Sequence, residues 1–116
     1  MFCRAEKLKT QLKKASSEAE DLISVISKDG DWSWANNEHA LKPLRQARTA
    51  ITGFKDSSRF FQEWLVTDNF TSMARKKYDR KTIEEEFGRL GELEKRTSRL
   101  SQESACLKRM HQARSS

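Results

Sequence analysis

Glycine and proline are nearly missing from this 116-residue chain, which has four of the first and one of the second. A many-stranded β fold needs a turn signal about every ten residues, so that scarcity excludes it. Cysteine is equally scarce. Cys3 and Cys106 lie near opposite ends of the chain and form no CxxC pair, which excludes a disulfide framework and a close-spaced thiolate zinc motif. No apolar run approaches the eighteen or more residues of a membrane span, and no apolar segment of signal-peptide type follows Met1. A reducing, cytoplasmic or nuclear setting is the expectation.

Catalytic motifs are missing too. The chain has no GxSxG, HExxH or glycine-rich phosphate loop. Its two histidines, His39 and His111, are far apart, and His111 is five residues from Cys106, which turns the two side chains to different helix faces. In residues 28–44, Asp29 and Asp31 fit the first and third positions of an EF-hand loop. Trp34 then stands where glycine is required, and Ala40 where a bidentate carboxylate must be. These gaps point to a non-enzymatic protein with no metal, no cofactor and no small-molecule substrate.

What is present is charge and helix-forming residues. Charged side chains make up 34% of the chain, hydrophobic ones 35%, and the net charge is +6. Ala, Leu, Glu, Lys, Arg and Gln dominate, all strong helix formers. Ala5, Leu8, Leu12, Ala15, Ala19, Leu22 and Ile26 recur at alternating spacings of three and four, the pattern of a helix that packs lengthwise against others. A second helix is predicted from about Lys42 to Lys55, with Pro43 in its first turn and its stop marked by Gly53 and then Asp56-Ser57-Ser58. That tripeptide also caps a third, whose Phe60, Phe61, Trp64 and Leu65 face the core and whose course Thr67-Asp68-Asn69 interrupts. Thr82 and Glu85 make a capping box for a long fourth helix, with Leu90, Leu93, Thr97, Leu100, Ser104 and Leu107 along its seam.

The fold expected is all-α: one antiparallel bundle of three to four helices over residues 1–113, up-down-up-down, with long first and last helices and a frayed tail at 114–116. A hairpin of the outer two with the middle two across it is the alternative. Up-down-up-down order places Cys3, Cys106 and His111 at one end, with the thiols near enough to crosslink. It places the tryptophans of the first connector beside the basic connector ARKKYDRK at the other.

Two functions follow from these patterns. One is a protein-interaction or scaffolding module. Its seams, Leu8, Leu12, Leu22 and Ile26 with Leu90, Leu93, Leu100 and Leu107, either close on each other or take a helical partner or a second copy. The other is binding of nucleic acid or another polyanion by Arg75, Lys76, Lys77, Arg80 and Lys81, with Trp32 and Trp34 as stacking rings. Neither involves a membrane span.

Overall fold

Two seams of the same period can close on each other, and here they do. The computed structural model describes residues 2–28 and 34–115, and every regular element among them is helical. The order is α1 (Phe2–Ser27), α2 (Trp34–Asp56), α3 (Arg59–Val66), α4 (Phe70–Lys77), α5 (Arg80–Gly88) and α6 (Leu90–Ser115). The long helices α1, α2 and α6 pack side by side in a body of 54 × 22 × 20 Å. Ala5, Leu8, Leu12, Ala15, Ala19 and Ile26 of α1 are buried, as are all six seam residues of α6; Leu22 is half-buried. α6 remains helical through Arg114 to Ser115, beyond the start of the expected tail.

The direction of the helices differs from expectation. Arg4, at the start of α1, bridges Glu94, at the start of α6. Leu22 and Val25, near the end of α1, share a cleft with Ser104 and Lys108, well along α6. The outer helices therefore run parallel, whereas up-down-up-down order makes them antiparallel. α2 runs the other way: its later half, at Ala47 to Gly53, lies beside Glu92 to Arg99, and Arg96 Nη1 donates to the Ala50 carbonyl at 2.7 Å.

Helix length explains the discrepancy. A 26-residue helix is about 39 Å long, whereas one of eight residues covers only about 12 Å. α3 and α4 have eight residues each, too few to return along the bundle. They stay with α5 at the end where α2 finishes, and α6 starts from that end. The expected count of three to four helices gives way to six helical segments among the described residues, with Arg89 alone between α5 and α6.

Local chemistry keeps these helices short. Ser58 caps α3, its hydroxyl accepting from the Phe61 N–H at 3.3 Å. Thr67 is extended and Asn69 is left-handed, at φ 53°, so the chain breaks there as the sequence indicates. Asp79, not Thr82, caps α5: the Thr82 N–H donates to Asp79 Oδ1 at 2.7 Å. The capping box expected at Thr82 is thus displaced by an acid three residues earlier, where a carboxylate serves the same orphan donors. α2 begins at Trp34, so Pro43 lies inside it and not in its first turn. Proline leaves the carbonyl four residues back, that of His39, without its helical donor. Both residues face solvent, which leaves that carbonyl open to water. The helix passes through Gly53 and ends at Asp56, one residue beyond the expected end at Lys55.

Aromatic rings weld the short helices to the bundle. Phe60 contacts Phe61, Phe70, Tyr78 and Phe87 at centroid distances of 4.9–5.5 Å, three of the four close to edge-on. Phe61 also meets Phe54 of α2 and Trp64. Trp64 is 1% exposed. Such rings dominate core energetics by area, and edge-on pairs add about 0.5–1.5 kcal/mol each.

Candidate functional site

The eight leucine and isoleucine positions expected to form an interaction seam are core: all but Leu22 are buried within the chain. A partner reaches the seven buried ones only by opening the bundle. The side chains that remain accessible lie on the flanks of the seam, and one flank is covered. On it Lys9 Nζ donates to the Thr67 carbonyl at 3.1 Å, Arg96 reaches α2, and the Arg89 and Arg96 guanidiniums lie over the Phe54 ring at 4.9 and 5.3 Å.

The opposite flank is open. Between α1 and α6 runs a trough of about 760 Å³, with Arg4, Lys7, Gln11, Lys14 and Glu18 on one wall and Glu94, Ser98 and Ser101 on the other. Leu8, Ala15 and Thr97 make its floor. Beyond Glu18 it continues into a cleft of about 440 Å³, lined more by apolar atoms, with Leu22, Val25, Ser104 and Ala105. Val25 is 52% exposed there. Helix periodicity builds this surface. Arg4 and Gln11 sit one place before seam residues of α1, while Glu94 and Ser101 sit one place after seam residues of α6. A bridge between such flanks is the one made across a parallel heptad seam, and it sets Ala5 level with Leu90 and Ala15 level with Leu100.

The ionisation of the molecule follows its ion pairs. The Arg4 hydrogen bond holds the Glu94 carboxyl below the usual range, and Glu94 in turn raises Arg4. Glu63 is lowered first by its bond to Lys77. Burial, with the phenol donating to Glu63 at 3.0 Å, raises Tyr78. Asp79 is lowered first by a hydrogen bond from the Thr82 side chain and then by the Thr82 N–H that caps α5. Each shift is explained by a fold contact. Among the described residues no three His, Cys, Asp or Glu side chains cluster closely enough to hold a metal ion, and no helix is long and apolar enough to cross a membrane.

The basic run is placed unlike its expectation. Lys77 pairs with Glu63, Arg80 with Glu84 at 2.9 Å and Lys81 with Glu85 at 4.0 Å, and Lys77 lies 5.7 Å from the Tyr78 ring centre. Arg75 and Lys76 are exposed on α4. Trp34 opens α2, at the other end from this run, and the length of α2, about 35 Å, separates them. Trp32 lies outside the described residues, as do Asp29 and Asp31. Trp34 and the basic run are not brought together. Cys3 and Cys106 are also parted. Both are exposed free thiols, and Cys106 lies a dozen residues beyond Glu94, about 18 Å along the axis, so the shared end expected for Cys3, Cys106 and His111 does not form.

The trough residues flank an apolar seam that gives the stronger signal in the sequence. A signal was present: Gly91, Ser98 and Ala105 recur every seven residues beside the α6 seam, small side chains where a solvated helix usually carries long ones. No family model matches the chain, and no curated protein or solved structure matches it.

Proposed function

We propose that this protein is a non-enzymatic helical interaction module that receives a partner helix in the trough between α1 and α6. A continuous groove along two long parallel helices, open on the side that α2 leaves uncovered, supports this most directly. Small residues on the α6 wall let a backbone approach closely, and a helix about 10–12 Å across fits between two neighbours of its own kind. Affinity would come from the apolar cleft around Leu22 and Val25, and register from the charges of the walls. A cytoplasmic or nuclear setting goes with this function, since both thiols are free.

A photoreactive amino acid at Ser101, inside the trough, tests this against one at Thr49, exposed on α2. Irradiation in extracts of the native source should give a discrete crosslinked product from position 101 and none from 49. Crosslinking from 49 but not from 101 would place the interaction elsewhere and refute the proposal.

A further inference from the structure

We infer that the trough takes an amphipathic helix of a different protein, with carboxylates toward the Arg4 end and a large apolar side chain at the other. This deepens the interaction function proposed above and rests on it. The order of side chains along the α1 wall carries the inference. From Arg4 to Val25 that wall repeats at spacings of three and four, one place before the buried seam. A helix lying in the trough meets this stripe along its whole length, as helices do in a heptad contact. The stripe is basic at Lys7 and Lys14, acidic at Glu18 and Asp21, and apolar at Val25.

These charges are open. Lys7, Lys14, Glu18 and Asp21 enter none of the ion pairs among the described residues, though Lys14 and Glu18 stand four apart. Arg80 and Glu84, at the same spacing, do pair. The order does nothing for α1 itself either. Acids in the first turn and bases in the last stabilise a helix, and α1 has neither. The other wall adds little charge: Glu94 is taken by Arg4, and Ser98, Ser101 and Ala105 follow. Lys108 shares the far cleft with Asp21, which leaves Glu18 as the open acid. A nucleic acid, negative along its whole length, would meet both acids with the wrong sign.

The spacing specifies the occupant. It carries carboxylates a heptad apart for Lys7 and Lys14, a cation four residues on for Glu18, and a large apolar side chain seven beyond that for Val25 and Leu22. No stretch of this chain has that order in either direction, so the occupant is another protein. From Arg4 to Val25 the trough runs about 32 Å, the length of a helix of about 21 residues.

The probe is a fluorescent synthetic helix with leucines facing the floor and that order of charges, titrated by anisotropy at about 50 mM salt. Its control has every charge reversed. The matched probe should bind about tenfold tighter, because exposed pairs that count for little singly act here together. Lys7→Glu with Lys14→Glu should invert the preference. Lys42→Glu with Lys95→Glu gives the same net charge away from the trough and should keep it. All four positions are exposed, so each variant should retain the wild-type helical dichroism. Equal binding of the two probes, no binding of either, or a preference unchanged in the Lys7 and Lys14 variant would overturn the inference. So would a crosslink from position 101 to a second copy of this chain. If the inference falls while position 101 captures a different protein, the interaction function stands. If neither probe binds and position 101 captures nothing, both fall.

Discussion

Ser104 should be more stable as alanine. Its side chain is 2% exposed on the α6 seam, and its hydroxyl has no hydrogen-bond partner there. A buried polar group without a partner costs about 1–3 kcal/mol, and serine is also a weaker helix former than alanine by a few tenths of a kcal/mol. Ser104→Ala removes one oxygen atom and leaves the Cβ in place, so almost no cavity opens. The expected gain is about 1–2 kcal/mol. For a chain of this length the unfolding entropy is on the order of 0.24 kcal/mol per kelvin, so Tm should rise by about 4–8 °C. Thr97 is the control on the same seam. Its hydroxyl donates to the Leu93 carbonyl at 2.8 Å, and Thr97→Val should gain nothing and lose up to about 1 kcal/mol. Thermal and urea unfolding of the three proteins, at concentrations where each is monomeric, give the comparison. An unchanged or lower Tm for Ser104→Ala would mean that the hydroxyl is satisfied in solution, and the reasoning would be refuted.

Four other outcomes are expected. Trp64→Ala should cost about 3–5 kcal/mol in urea unfolding, while Val66→Ala, at a side chain 84% exposed, should stay within about 0.5 kcal/mol. Asp79→Ala should cost about 1 kcal/mol as a lost helix cap and Thr82→Ala less, the reverse of what a cap at Thr82 requires. Mild thiol oxidation should give no Cys3–Cys106 link within one chain, because a disulfide needs Cα atoms within about 7 Å; peptide mapping of the oxidised monomer reads this directly. Stability should fall on the acid side. Glu63, Asp79 and Glu94 bind protons less readily folded than unfolded, so their contribution is complete above the ordinary carboxylate range and is lost as pH falls through their lowered values. The urea midpoint should drop between pH 6 and 3, less steeply in Glu94→Gln.

Much of the core was legible because burial repeats with the helix. Ala5 to Ile26 and Leu90 to Leu107 announce themselves by spacing, and Phe60, Phe61 and Trp64 by size. Helix ends were harder to read. Asp79 and Thr82 are both good caps three residues apart, and only the backbone shows which is used. Pro43 marks a helix start by preference, yet a solvent-facing position lets it sit further inside. The trough was least legible, since Gln11, Ser98 and Ser101 are unremarkable polar residues until a second helix stands beside them.

By itself the sequence determined that this chain is helical, that two of its helices bear matching apolar seams, and where the chain breaks after Val66. Only the tertiary structure decided which way those helices run. Heptad spacing looks alike in both directions, so a seam can close on a parallel or an antiparallel partner with the same residues. The choice was made by α3 and α4, too short to cross the bundle, and by the aromatic cluster that holds them at one end. With them the chain returns to where α2 finished, α6 sets out beside α1, and the open trough and the wide separation of Cys3 from Cys106 both follow.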